Sequence, residues 1–90
     1  MSPLSPGLVV LSREGCHLCE DMLLALAELE RDGSIPEVKV VDVDSEAELA
    51  RQFGLKVPVL LLDGSVVCHY TLNSKELLRL VGRSPAIIPR

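Results

Sequence analysis

Aromatic residues are nearly absent from this chain of 90 residues, which has no tryptophan and only Phe53 and Tyr70 as aromatic side chains. Its core must therefore be aliphatic, built from Leu, Val and Ile. Hydrophobic residues make up 48% and charged residues 24% of the sequence. This balance is typical of a folded globular protein and not of a disordered one. Because a chain this short rarely builds two cores, we expect one domain.

Basic clusters and long apolar runs are missing as well. The net charge is −4, and without a Lys/Arg cluster a nucleic-acid surface is not expected. The apolar run Leu8–Leu11 is far too short for a signal peptide or a membrane span. We therefore expect a cytoplasmic monomer without nucleic-acid or membrane partners. The three cysteines are an odd number, which favours reduced or catalytic thiols over a framework of structural disulfides.

Hydrophobic periodicity and turn residues predict an α/β fold in the order βαβαββα. A strand–helix–strand unit requires a parallel pair, and Asp63-Gly64 between two apolar runs indicates an antiparallel hairpin. The sheet is thus expected to be mixed and four-stranded, flanked by three helices. Residues 8–82 form the predicted domain, with tails at 1–7 and 83–90. The predicted strands are 8–12, 37–44, 59–62 and 66–70, and the helices begin at Leu18, Ser45 and Asn73.

The predicted helices carry recognisable start signals and one clear apolar face. Ser45-x-x-Glu48 fits a capping box, and Asn73 stands in the same relation to Glu76. Helical spacing predicts a single buried face on the first helix, formed by Leu18, Met22, Leu26 and Leu29.

The motif Cys16-His17-Leu18-Cys19 falls where the first strand passes into the first helix. Such a pair can be a metal clip, a redox dithiol or a coincidence. A helix start offers unpaired N–H groups and a partial positive charge, which favour a thiolate at Cys16. Cys19, one turn further on and shielded, is suited to resolve a mixed disulfide.

Charged neighbours act on the Cys16 thiolate in opposite directions. Arg13 and His17 would stabilise it and tune the reduction potential, whereas nearby carboxylates oppose it. We therefore expect a modest lowering of the Cys16 pKa. For His17 a second interpretation stays open, that of a surface residue in the first turn of the helix. The opposing carboxylates are Glu14, Glu20 and Asp21.

A zinc site is disfavoured by the supply of ligands. A structural zinc ion takes four protein ligands, and the candidates outside the motif are Cys68 and His69. These are adjacent on a predicted strand, so their side chains point to opposite faces. Cys68, which alternates with Val66 and Tyr70, is interpreted as a small buried hydrophobic residue, and His69 as a solvated or packing residue.

Three segments together resemble the glutaredoxin branch of the thioredoxin superfamily: Gly15-Cys16-His17-Leu18-Cys19 after a strand, Asp42-Val43-Asp44 at the end of the second strand, and Val57-Pro58 before the hairpin. The resemblance covers residues 8–82 and is greatest to the small glutaredoxin-like group. It implies a thioredoxin-like fold, with Cys16 as attacking thiol and Cys19 as resolving thiol. It also implies a cis bond before Pro58 and a thiol-binding loop formed by Lys56, Val57 and Pro58.

The chain departs from the glutaredoxin pattern at two places. His17-Leu18 stands where dithiol glutaredoxins have Pro-Tyr. Tyr70-Thr71-Leu72-Asn73-Ser74 stands where they have a Gly-Gly turn and an Asp that helps to hold glutathione, so Asn73 or Ser74 would have to take that place.

The resulting prediction is a thiol–disulfide oxidoreductase that reduces protein disulfides or glutathione mixed disulfides. It would serve electron transport and redox homeostasis with no tightly bound cofactor or metal, and with glutathione as a co-substrate. Two other classes stay open. One is a metal-binding protein that carries Cu(I) or a glutathione-dependent iron–sulfur cluster. The other is a non-catalytic binding module that uses the Val57-Pro58 groove.

Overall fold

Short apolar runs separated by turn residues fold into the predicted order of elements. The structure is a computed structural model that describes residues 7–82, so the predicted tails, apart from Gly7, lie outside the described residues. The strands are β1 (Leu8–Ser12), β2 (Val38–Asp42), β3 (Val59–Leu62) and β4 (Ser65–His69), and the α-helices are α1 (His17–Arg31), α2 (Ala47–Phe53) and α3 (Ser74–Gly82), with a 3-10 turn at Val43–Ser45.

The four strands form one mixed sheet in the order β2-β1-β3-β4. β1 runs parallel to β2 and antiparallel to β3, and β3 runs antiparallel to β4. Consequently β1, β2 and β4 end, and β3 begins, at the same edge of the sheet, which we call the upper edge. The register shows this, since Val59 pairs with Leu11 on one side and with His69 on the other.

Both faces of the central strands are covered, as the continuous apolar runs of β1 and β3 predict. One face packs under α1 and α3, where the helix-side core consists of Leu8, Val10, Met22, Leu26, Ile35, Leu60 and Leu77. The other face packs under α2, and its core consists of Val9, Leu11, Val43, Leu49, Val59 and Leu61. Alternate residues of each central strand thus serve opposite cores.

The hairpin and the start of α3 are confirmed. Asp63 and Gly64 have φ values of 52° and 86°, the left-handed pair that a two-residue turn of this kind requires. Asp63 also accepts a hydrogen bond from Gly7 N on Oδ1 at 2.7 Å and donates its own N–H to Gly7 O at 2.9 Å. The Asn73 side chain caps α3 by accepting from Glu76 N at 3.0 Å.

The capping box at Ser45 is wrong, and β2 is shorter than predicted. Asp42 Oδ1 accepts from Asp44 N at 2.8 Å, which turns the chain into the 3-10 segment that contains Ser45. The N-cap of α2 is Glu46, which makes no side-chain capping bond. Glu48 pairs forward with Arg51 and does not reach back.

The predicted buried face of α1 is wrong at its first position. Leu18 is 43% exposed, and the neighbouring Cys19 takes its place beside Met22 and Leu26. Cys19 therefore belongs to the core face of the helix, where a cysteine behaves as a small hydrophobic residue.

The predicted alternation of β4 is also wrong, because the β3–β4 pairing shifts between Leu60 and Leu61. Leu60 pairs with Cys68 and Leu61 with Val66, so Val67 is an extra residue in β4. As a result Cys68 packs with Val67 against the helix-side core, whereas Val66 is exposed. Cys68 is a free cysteine that packs against the core as a hydrophobic residue, but it is half-buried and not fully buried as interpreted from the sequence.

Candidate functional site

Cys16 and Cys19 are brought together by the first turn of α1. Cys16 is the N-cap of the helix in an extended conformation, and its Sγ accepts a hydrogen bond from Cys19 N at 3.1 Å. The two Cα atoms are 5.2 Å apart, and the sulfurs are joined in a disulfide. This separation lies within the range that a disulfide spans without backbone movement. The pair can therefore cycle between dithiol and disulfide on one backbone.

The two sulfurs differ in their access to solvent. Cys16 is partly exposed at the upper edge, whereas Cys19 is 1% exposed and faces the core. An incoming disulfide can therefore reach Cys16 but not Cys19. This asymmetry, together with the backbone N–H aimed at the Cys16 sulfur, fits an attacking thiol followed by a shielded partner.

The Val57-Pro58 segment reaches the same upper edge from the other side of β1. Its peptide bond is cis, as the resemblance implied. Pro58 is buried and Val57 half-buried, and β3 begins directly after them beside the end of β1. Lys56 precedes them with its side chain exposed. The fold thus gathers the predicted thiol-binding loop and the cysteine pair at one edge.

The side chain of Arg13 is bonded to Asp44 and Gly54. Its Nε and Nη2 donate to the two carboxylate oxygens of Asp44, each at 2.9 Å, and its Nη1 donates to Gly54 O at 2.8 Å. These hydrogen bonds lower the pKa of the Asp44 carboxyl and raise the pKa of the guanidinium. The tuning role predicted for Arg13 stays a prediction, and the structure places its charge beside a carboxylate.

His17 and the acidic neighbours of the motif project into solvent. The His17 side chain is 97% exposed, and its Nδ1 lies 4.0 Å from Glu20 Oε1. Glu14, Glu20 and Asp21 are exposed as well. The tuning role of His17 therefore also stays a prediction, with a carboxylate as its neighbour.

Tyr70 is a residue of the site that the sequence did not reveal. It follows β4 at the upper edge with a φ of 72°, an unusual conformation for a bulky side chain. Its N–H donates to Pro58 O at 2.9 Å, and its hydroxyl lies 3.3 Å from Leu55 O. It thus contacts both ends of the loop. The signal available in advance was its place in the chain, where glutaredoxins carry a Gly-Gly turn.

The part of the chain that the structure describes contains no candidate metal-binding cluster. No group of three or more His, Cys, Asp or Glu side chains within residues 7–82 is placed to hold a metal ion. Over the same range, no helix is long and apolar enough to cross a membrane.

The geometry of the site agrees with a comparison of the whole sequence with known families. Residues 7–82 match the family model described as Glutaredoxin-like domain (DUF836). The chain belongs to this glutaredoxin-like family. The family match covers every described element of the glutaredoxin-like domain, from β1 to α3.

Individual relatives support the same placement. Uncharacterized protein Rv0508 of Mycobacterium tuberculosis is 31% identical over 84 residues, which cover 88% of this chain and 86% of that protein. The solution structure of protein Ne2328 from Nitrosomonas europaea is 35% identical with a TM-score of 0.72, covering 90% of this chain and 94% of the other. The holo form of glutaredoxin C1 from Populus tremula x tremuloides, 20% identical with a TM-score of 0.52 over 93% of this chain and 83% of that one, shares the fold. The glutaredoxin-like domain therefore has the thioredoxin-like fold that the sequence predicts.

Proposed function

We propose that this glutaredoxin-like chain is a thiol–disulfide oxidoreductase that reduces disulfides of proteins or glutathione. The observation that carries the proposal is the asymmetric pair, with a partly exposed Cys16 at a helix N-cap and a buried Cys19 within disulfide distance. A metal-binding pair would not need one buried member. A non-catalytic module would not need the pair at all.

The reaction proceeds in two exchange steps that conserve electrons and atoms. The Cys16 thiolate attacks one sulfur of the partner disulfide, which forms a mixed disulfide and releases the other partner sulfur as a thiolate. Cys19, deprotonated, then attacks Cys16 Sγ, which releases the second partner thiolate and closes the Cys16–Cys19 bond. The partner gains two electrons, and the dithiol loses two. An external thiol or a reductase must then reduce the bridge.

The structure supports this assignment of roles through the N-cap. The N–H of Cys19 points at the Cys16 sulfur, so it is in place when Cys16 attacks the partner disulfide as a thiolate. Hydrogen bonds to an ionised acceptor are about twice as strong as neutral ones. The contact therefore favours the thiolate of Cys16 as the nucleophile of the first step.

Replacing the nucleophile tests the proposal. Cys16→Ser should lower the reduction of a disulfide-linked fluorogenic peptide to the rate that dithiothreitol supports without protein. Cys68→Ser serves as the control and should retain full turnover, since Cys68 packs on β4 against the helix-side core. Undiminished activity of Cys16→Ser would reject the mechanism.

The identity of the electron donor requires a second measurement. The oxidised protein would be re-reduced either by glutathione or by thioredoxin reductase, and the two rates compared. Faster reduction by glutathione would support a role in glutathione-linked redox homeostasis. Faster reduction by the reductase would assign the chain to thioredoxin-type electron transport.

A further inference from the structure

One residue connects the two halves of the site. The backbone carbonyl of Arg13 accepts a hydrogen bond from Cys16 N at 3.3 Å, within the turn that leads into α1. Its side chain donates to Gly54 O at 2.8 Å, the first carbonyl of residues 54–58, which we call the cis-proline segment. Arg13 thus joins the backbone around the attacking thiol to the loop beside it.

The cis-proline segment is held at both of its ends. Arg13 holds the carbonyl of Gly54, and Tyr70 N donates to Pro58 O at 2.9 Å at the other end. Between these points Leu55, at 93% exposure, and Lys56 lie in solvent, whereas Val57 packs against the core under α2. Arg13 therefore supplies the contact that ties the Gly54 end of the segment to the backbone around Cys16.

Glycine at position 54 leaves room for both Ala50 O and the Arg13 guanidinium. Its φ of −57° is ordinary for any residue, so backbone freedom does not explain a glycine there. A Cβ at this position would lie 3.2 Å from Arg13 Nη2 and would collide with Ala50 O. The close approach of Arg13 is thus a second reason for glycine at the end of α2.

The charge of Arg13 is poorly placed to act on Cys16 directly. Both carboxylate oxygens of Asp44 face the guanidinium, and such a fork-to-fork pair largely cancels the field that either group exerts at a distance. The two hydrogen bonds to Asp44 instead fix the orientation of the guanidinium, so that its Nη1–H group points at Gly54 O.

We propose that Arg13 is a positioning residue, which sets the cis-proline segment relative to Cys16 through Gly54, with Asp44 fixing the orientation of its guanidinium. The proposal rests on the proposed function, because its effect appears in disulfide exchange. In this role Arg13 acts by aligning the disulfide partner on the cis-proline segment, and not by electrostatic tuning of the Cys16 thiolate.

Arg13→Lys and Asp44→Asn separate the two roles. Lysine keeps the positive charge but cannot form the fork. Asp44→Asn leaves the guanidinium without its counter-charge, so electrostatic tuning predicts a more stable Cys16 thiolate and undiminished activity. A positioning role predicts a loss of alignment in both variants. The matched control is Arg51→Lys, which changes an exposed ion pair with Glu48 on α2 that does not touch the segment.

The measurements are kcat and KM for the disulfide peptide, and the pH dependence of kcat/KM between pH 5 and pH 9. We expect Arg13→Lys to raise KM about tenfold, the equivalent of one lost alignment contact. The midpoint of its pH profile should stay that of the parent protein. Asp44→Asn should also raise KM, and Arg51→Lys should match the parent.

Unchanged KM in Arg13→Lys, or higher kcat/KM in Asp44→Asn, would overturn the positioning role. If Arg13→Lys does not fold, as judged by circular dichroism, Asp44→Asn alone decides between the two roles. Absence of turnover in both the parent and Arg51→Lys would refute the proposed function instead, so the two failures are distinguishable.

Discussion

The resolving role of Cys19 leads to a quantitative prediction about the lifetime of the mixed disulfide. In the protein, Cys19 lies with its Cα 5.2 Å from that of Cys16. One thiol confined to a sphere of this radius has a concentration of about 3 M, whereas an external thiol in an assay is present at about 1 mM. The internal attack should therefore be about 3,000 times faster than release by the external thiol, before any gain from orientation is counted.

Cys19→Ser removes this internal attack and should prolong the mixed disulfide by about the same factor of 3,000. The assay loads Cys16 with a disulfide peptide, quenches samples with acid and follows the adduct by intact-mass spectrometry. Because Cys19 is buried, Cys19→Ala is measured as well, so that a new hydroxyl in the core does not determine the result. Cys68→Ser is the control and should release the peptide at the parental rate.

A parental release rate in both Cys19 variants would refute the reasoning. The external thiol would then be the releasing agent, and the 5.2 Å separation would have no kinetic consequence. Slow release in Cys68→Ser would instead identify the half-buried Cys68 as the resolving thiol.

Three further predictions concern the fold and its charged contacts. Leu26 is 1% exposed, so Leu26→Ala should lower the free energy of unfolding in urea by about 2–5 kcal/mol. Leu24 is 67% exposed on the same helix, and Leu24→Ala should change this free energy by less than about 0.5 kcal/mol. Equal losses in the two variants would contradict the assigned core. Asn73→Ala should cost about 1 kcal/mol by removing the cap of α3, and an unchanged urea midpoint would contradict that role. The Arg13 hydrogen bond lowers the pKa of Asp44 in the folded state, so its contribution to stability is present at neutral pH and is lost as the pH falls below about 4. The difference in unfolding free energy between the parent and Asp44→Asn should vanish over that range, and a difference that persists at pH 2 would contradict the linkage.

Features set by neighbouring residues were predictable from the sequence. Asp63-Gly64 specifies a tight turn through its own conformational preferences, and Asn73 caps a helix whose first turn follows it directly. The position of the cysteine pair was predictable in the same way, because Cys16 directly precedes the first residue of α1 and Cys19 lies within its first turn. In each case the atoms that interact are close in the chain, so spacing carries the information.

The wrong predictions share one physical cause. At each of these places several local structures compete, and residue spacing alone does not decide which of them forms. Ser45 had the spacing of a capping box. The Asp42 side chain, however, accepts a hydrogen bond from Asp44 N, which places Ser45 in the 3-10 turn and makes Glu46 the N-cap of α2. The extra residue at Val67 depends on how two strands pair, and no single strand encodes it. Leu18 and Cys19 were equally possible on the buried face of α1 until the sheet beneath selected one.

The contacts that complete the site were beyond sequence reasoning for a further reason. Arg13 reaches Asp44 and Gly54 across 31 and 41 residues of chain. Tyr70 contacts Leu55 across 15 residues. Such pairs become visible only when the strand order is known, because the upper edge of the sheet collects segments that are far apart in the chain.

The hairpin turn at Asp63-Gly64 has a practical consequence for anyone who works with this protein. It lies at the end of the sheet opposite the cysteine pair, and β3, with four residues, separates the two by about 13 Å. The turn residues are exposed. A fluorophore or a surface linker attached beside the turn, at the exposed Ser65, would therefore leave the reactive sulfur facing free solution, and immobilised protein could be presented to disulfide partners in one orientation.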